Sequence, residues 1–126
     1  MKKIQKYMQN LKSGIKRILY AFKFSYDGFV AMFKSEPAFR QDLFVCAVFI
    51  LAAFFVDVTP LSRAMLVSSM LFILFAESVN TAVETVVDRI SKEKNPLSKK
   101  AKDIGSLIVL MAFINAALVW SLILFF

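Results

Sequence analysis

Apolar residues follow two different rhythms along this chain. In the N-terminal third, Ile4, Met8, Leu11, Ile15, Leu19, Phe22, Tyr26, Phe29 and Phe33 recur every three to four positions, the spacing of one face of an α-helix. Lys2, Lys3, Lys6, Lys12, Lys16, Arg17 and Lys23 fill much of the other side. The pattern predicts an amphipathic surface helix over residues 1–34, lying in the headgroup plane of an anionic membrane. A segment that merely anchors the protein or covers a helix bundle would share this periodicity. Gly14 and Gly28 are the expected bends.

Beyond residue 36 the rhythm gives way to unbroken apolar runs. Three stretches hold no charged residue: Leu43 to Val56 (14 residues), Ala64 to Ala76 (13) and Ile104 to Phe126 (23). A bilayer span requires about 20 largely apolar residues, because ~30 Å of hydrocarbon is crossed at ~1.5 Å per residue. The third stretch qualifies as it stands. The first extends back through Ala38, Phe39 and Gln41, with Arg40 and Asp42 near the headgroups; the second runs on through Glu77 and Glu84 to Val87, 24 residues from Ala64. The fold class expected is therefore all-α integral membrane, one domain over 1–126, with three transmembrane spans inside helices at about 38–56, 62–90 and 99–126. The segment from Ser91 to Ser98 reads as a loop, and Ser98 is the expected cap of a helix starting at Lys99.

Composition strengthens the membrane reading. Of 126 residues, 59% are hydrophobic, against roughly 45–50% in soluble domains. With one Cys and no His, disulfide scaffolds and zinc sites are excluded, and any metal must be held by oxygen. Charge sets the orientation. Nine of the 16 Lys and Arg lie from Lys2 to Arg40, one (Arg63) in the first connection, and six from Arg89 to Lys102. The positive-inside rule places the N-terminus and the second connection in the cytoplasm, and the Thr59-Pro60-Leu61 connection and Phe126 outside. A secretory signal peptide does not explain apolar runs that begin at residue 43. Because the basic residues follow topology, no nucleic-acid partner is expected.

Chemistry enters with Glu77, which follows 13 uncharged residues in mid-span, where an ionised side chain is costly unless paired, neutralised or hydrated. At about 100° per residue, Asn80, Glu84 and Asp88 fall with it on one face within about 80°. This polar stripe descends toward the cytoplasmic surface. It fits an inert interhelical ion network, a proton or ion relay, or a divalent-cation site for interfacial chemistry. Glu36, just before the first span, adds a carboxylate able to meet Glu84, and Lys99, Lys100 and Lys102 offer charge to a polyphosphate; positive-inside topology alone also accounts for those lysines. There is no GxxxxGK[ST] or GxGxxG motif, so a P-loop, a protein kinase fold and a dinucleotide fold are excluded. Cys46, in an apolar run, reads as packing.

The stripe, written out as Glu77-Ser-Val-Asn80-Thr-Ala-Val-Glu84-Thr-Val-Val-Asp88, resembles the signature of the small integral-membrane prokaryotic diacylglycerol kinases, a family that includes the undecaprenol kinases. Glu36-Pro-Ala-Phe-Arg40-Gln41-Asp42 and Leu97-Ser-Lys-Lys-Ala-Lys102-Asp103-Ile-Gly-Ser106 match further segments, and the resemblance runs from about Arg17 to Trp120. It implies a homotrimer in the bacterial cytoplasmic (inner) membrane that phosphorylates a membrane lipid alcohol from ATP, with Mg²⁺ as cofactor. By the same resemblance Glu77 is the catalytic base, Glu36 and Glu84 are the metal carboxylates, and Asn80 and Asp88 are active-site polar groups. The implied nucleotide contacts are Arg17, Glu36, Glu84, Glu93, Lys94, Asn95, Lys102 and Asp103. The implied lipid contacts are Arg17, Ala38, Phe39, Arg40, Gln41, Asp42, Glu77 and Ser106. Two positions depart from the family pattern: Phe24 stands where some members carry Tyr, which removes a hydroxyl, and Pro37 stands where Ala is often found.

The acceptor implied is diacylglycerol, because Asp88-Arg89-Ile90 and Asp103-Ile104-Gly105-Ser106 look more like the diacylglycerol kinases; undecaprenol is the alternative. From a different class, a non-enzymatic ion-relay or accessory membrane protein would use the Glu77 stripe without nucleotide. Such a protein would tolerate changes at Glu36, Lys102 and Asp103.

Overall fold

The structure, a computed structural model, describes residues 1–9 and 14–126. Leu11 and Lys12, two positions of the amphipathic pattern, lie outside the described residues. Among the described residues the elements are five α-helices: α1 (Lys2–Gln9), α2 (Gly14–Ser35), α3 (Pro37–Ala53), α4 (Pro60–Ile90) and α5 (Pro96–Phe125). They form two compact units, Met1–Glu36 and Pro37–Phe126.

In the first unit no residue of α1 or α2 is buried. Its apolar stripe is open, with Ile15, Phe22 and Tyr26 each about 70% exposed (73%, 71% and 68%), as an amphipathic helix requires if its greasy side is to meet something other than its own chain. Tyr7, Tyr20 and Phe24 form a run of ring contacts at 6.4 and 6.2 Å that links α1 to α2. The bend expected at Gly28 does not occur. α2 passes through it without a break, because a lone glycine in a helix lowers stability without interrupting the hydrogen-bond ladder. The unit ends where Glu36 donates its N–H to Met32 O at 2.9 Å. Pro37 then opens α3, a first-turn position where its missing N–H costs nothing.

The second unit is a three-helix packing in which α4 touches both α3 and α5. Its core is made of Cys46, Met70, Ile73, Ala76, Ala112 and Ala116, with Ile50, Leu74, Ile108, Val109 and Trp120 packed against it. Three of those buried positions are alanines, which lets helix backbones approach closely where lipid gives no hydrophobic drive to association. Both α4 and α5 are long and apolar enough to cross a membrane, and only 28% and 11% of their most apolar stretches are buried. Outward-facing apolar side chains of that extent distinguish them from the wrapped core helix of a soluble protein. α3, at 17 residues, is one turn shorter than the ~20 that a full span takes.

Side chains end these helices where the sequence places polar residues. Thr59 caps α4, accepting from Ser62 N–H at 3.2 Å, with Pro60 in the first turn. At the other end of that connection Arg63 turns back onto α3, donating from Nε to Ala53 O (3.0 Å) and from Nη2 to Val56 O (3.1 Å). These carbonyls have no helical partner beyond the end of α3, so the guanidinium closes it. Arg63→Ala is expected to lower stability by about 1–3 kcal/mol, seen as an earlier midpoint of thermal unfolding in detergent. An unchanged midpoint would mean that water serves these carbonyls equally well. Farther into the bundle, Trp120 Nε1 donates to Ser69 Oγ at 3.1 Å and its ring meets Phe49 edge-on at 5.0 Å, so one side chain of α5 touches both other helices.

The helix entering the third apolar run starts earlier than the sequence pattern suggests. Asn95, not Ser98, is the cap, accepting from Leu97 N–H at 2.8 Å. Asn followed by Pro is the stronger start signal, because Pro96 presets the helical φ in the first turn and pushes Asn95 into the extended conformation a cap adopts.

Candidate active site

The polar stripe of α4 and the basic entry to α5 meet at the end of the hairpin that joins them. Glu77, Asn80 and Glu84 are half-buried, and Asp88 is exposed in the last turn of the helix. The gradient follows from packing, since Ala76 is fully buried against the core while α4 beyond Glu84 leaves it. On α5, Lys102 is half-buried, and Asp103 and Ser106 are exposed.

Two ion pairs order these charges. Lys102 Nζ lies 2.8 Å from Asp88 Oδ1 across the two helices, and Lys99 Nζ lies 2.5 Å from Asp103 Oδ2 along α5. Asp88 and Lys102 flank the apolar runs rather than lying inside them. The Lys102 hydrogen bond, with the nearby charge of Lys92, holds the Asp88 carboxyl below its usual value. Reciprocally, the hydrogen bond to Asp88 and the charge of Glu84 hold the Lys102 ammonium above its own. Both groups are therefore ionised at neutral pH. Glu84 thus lies within electrostatic reach of Lys102, so the stripe ends on a cation that it helps to keep charged.

The connection between α4 and α5 forms a cavity of about 480 Å³ lined by Val87, Ser91, Glu93, Lys94, Asn95 and Ser98 among others. The loop is held from within: Glu93 N–H donates to Ser91 Oγ at 3.0 Å. Asn95 spends its Oδ1 on the helix cap, which leaves its amide NH2 for other work.

The remaining expected residues are distributed as follows. Arg17, on α2, and Glu36, whose carboxylate accepts from Ser35 Oγ at 3.4 Å, belong to the first unit. At the start of α3, Ala38, Arg40 and Gln41 are exposed, whereas Phe39 is packed inside at 4% exposure. Asp42 is half-buried and edges an apolar cavity of about 310 Å³ shared with Cys46, Phe49, Met70 and Trp120.

Among the described residues no three His, Cys, Asp or Glu side chains gather as a metal site. Mg²⁺ is usually held by one or two carboxylates while substrate phosphates complete its shell. Glu84, a half-buried carboxylate beside a lysine able to take phosphate charge, has the donor chemistry for this.

The hydrophobic pattern carries no sign of a close approach between α4 and α5 at Gly105. Gly105 is buried, and a Cβ placed on it would lie 2.3 Å from Asn80 Oδ1. That same oxygen is buried without a hydrogen-bond donor, a state that costs roughly 1–3 kcal/mol. The one signal available was the presence of a glycine within a 23-residue uncharged run.

The sequence is similar to those of known proteins. The chain is 42% identical over 113 residues to a diacylglycerol kinase of Pseudomonas aeruginosa, covering 90% of this chain and 92% of that one. It is 40% identical over 114 residues to a diacylglycerol kinase of Haemophilus influenzae (90% and 97% covered) and 38% identical over 117 residues to one of Escherichia coli K12 (93% and 96%). The sequence profile of the prokaryotic diacylglycerol kinases matches residues 23–124, a stretch that holds α3, the α4 stripe, the hairpin and the basic entry to α5, and so the chain belongs to the prokaryotic diacylglycerol kinase family.

Proposed function

We propose that the protein is an ATP-dependent lipid kinase that transfers the γ-phosphate of ATP to the primary hydroxyl of diacylglycerol, giving phosphatidic acid and ADP. The observation that carries this reading is the Asp88–Lys102 pair, in which the last carboxylate of the α4 stripe holds a lysine at the entry to α5.

Phosphoryl transfer asks a protein mainly for alignment and charge stabilisation. The acceptor hydroxyl sits at the headgroup boundary with its acyl chains still in the bilayer. Its oxygen attacks the γ-phosphorus in line with the departing ADP oxygen, the bridging P–O bond breaks, and Glu77 accepts the hydroxyl proton. Lys102 takes up charge on the phosphates, and Asp103, Glu93, Lys94, Asn95 and Arg17 complete the nucleotide contacts. Ala38, Arg40, Gln41, Asp42, Arg17 and Ser106 contact the lipid headgroup region, while the buried Phe39 anchors the start of α3, and Asn80 and Asp88 hold the polar face in order. Bound with the nucleotide and held by Glu36 and Glu84, Mg²⁺ would neutralise phosphate charge that builds up in the transfer.

The assembly that fits this role is a homotrimer in the bacterial inner membrane, each chain crossing three times with its N-terminus in the cytoplasm and its C-terminus outside. A bundle of three helices has too little surface to enclose a nucleotide, a lipid headgroup and a polar stripe, so partner chains complete the site. The chain extends α3 across the bilayer with the residues that follow Ala53, and α1 and α2 lie on the cytoplasmic leaflet.

The test is Mg²⁺-dependent phosphate transfer by the purified protein in mixed micelles, with diacylglycerol and undecaprenol offered separately. Preferential phosphorylation of diacylglycerol is expected. A preference for undecaprenol would keep the chemistry and change the acceptor, whereas nucleotide turnover that is indifferent to both lipids would overturn the kinase reading.

A further inference from the structure

We infer that Gly105 is a positioning residue for phosphoryl transfer, acting through Asn80: it offers the one space in which the Asn80 amide can lodge between α4 and α5 with its oxygen inward. The inference rests on the kinase reading and adds to it a residue outside the polar stripe. A Cβ at position 105 would lie 2.3 Å from Asn80 Oδ1, 3.3 Å from its Cγ and 3.7 Å from its Cα. The last distance means that the α4 backbone itself is at contact range. A short side chain anchored that close has no far end to swing aside, so the clash is met by rotating Asn80 out of its place or by parting the helices. Gly14 and Gly28 meet nothing within 4 Å. Glycine is disfavoured against alanine inside a helix, and of these three only Gly105 has a steric reason to be there.

The amide meets this contact with its oxygen end. Oδ1 is the atom nearest the Gly105 position, and Nδ2 is not among the three nearest. The buried oxygen finds no N–H or O–H donor, only the weak donor that a glycine Cα–H provides. The strong donor end, the NH2, is thereby left for the face that Asn80 shares with Glu77 and Glu84, one turn away on either side. That is the favourable direction, because an amide NH2 beside carboxylates is attracted and an amide oxygen there would be repelled. Gly105 thus leaves room for an amide donor on the face between the proton acceptor and the metal carboxylate.

The experiment is a double-mutant cycle of Gly105→Ala and Asn80→Ala in the full-length protein, read as kcat and KM in mixed micelles and as the thermal midpoint in the same detergent. Gly105→Ala is expected to lower kcat by roughly 10²-fold with KM for ATP and diacylglycerol changed little, and the double variant to be no slower than Asn80→Ala alone. The midpoint should fall on Gly105→Ala in the wild-type background, yet hold or rise when Asn80 is already Ala, because the clash is gone and alanine is the better helix former. If Gly105→Ala does not fold at all, recovery of folding in the double variant supports the inference and a double variant that also fails overturns it. Losses that simply multiply in the double variant, or an unchanged kcat in Gly105→Ala, overturn it as well. A wild-type protein without lipid-dependent transfer would instead overturn the proposed function, so the two failures are distinguishable.

Discussion

Glu77→Gln is expected to abolish measurable phosphate transfer to diacylglycerol, with kcat lower by roughly 10²–10⁴-fold and both KM values within a few-fold of wild type. Gln keeps the volume, the polarity and the place of the side chain on α4, next to the fully buried Ala76, so the packing of the helix is undisturbed. What it loses is the ability to accept a proton. In a half-buried position on a membrane helix, bulk hydroxide and buffer are poor substitutes, which makes the loss larger than at an exposed general base. Steady-state rates in mixed micelles, with helix content checked by circular dichroism, decide the matter. A variant that retained about a tenth of the wild-type kcat would fall short of the least that a base contributes, and the proton would have to leave by another route.

The second large effect is expected at Lys102. Lys102→Met should reduce kcat/KM for ATP by roughly 10²–10³-fold, the scale on which a fixed positive or hydrogen-bonding group acts on developing phosphate charge, while KM for the lipid is unchanged. Asp88→Asn should cost less, because it frees the lysine without removing it. The pair is solvent-accessible, with both side chains 43% exposed, so the ammonium can exchange its carboxylate partner for a phosphate without a buried charge being stranded. Comparing the two variants separates holding the lysine from using it. Equal losses at both positions would mean that the pair acts as a unit, and no change in either ATP parameter for Lys102→Met would remove it from the nucleotide site.

Most of the helical architecture was legible because it rests on long-range sequence rhythm. The change from a period near 3.6 to uninterrupted apolar runs marks where α2 gives way to α3, and the charge-free stretches lie within α3, α4 and α5 except that the first runs three residues past the end of α3 at Ala53 and the third one residue past α5. The stripe from Glu77 to Asp88 was legible for the same reason: helix geometry alone puts these residues on one face. What escaped notice depends on single contacts between distant parts of the chain. The end of α3 is fixed by Arg63, ten residues beyond Ala53, and charge counting registers that residue only as one cation. The start of α5 turned on a contest between two capping residues that Pro96 decided. Gly28 looked like a bend and is not one, since nothing near it favours leaving the helix. The pairing of Asp88 with Lys102 needs the hairpin to close before either residue is near the other, and the Asn80–Gly105 approach needs in addition the interaxial distance that the core alanines set.

Trp120 has a use independent of any catalytic role. It is the single tryptophan of the chain, so all indole emission comes from one place, a ring that hydrogen-bonds to α4 and meets a phenyl edge from α3. Its emission maximum and anisotropy therefore serve as a built-in optical gauge of whether these three helices stay docked. A variant that loses activity with an unaltered tryptophan spectrum has kept its bundle, and no added label is needed to establish that.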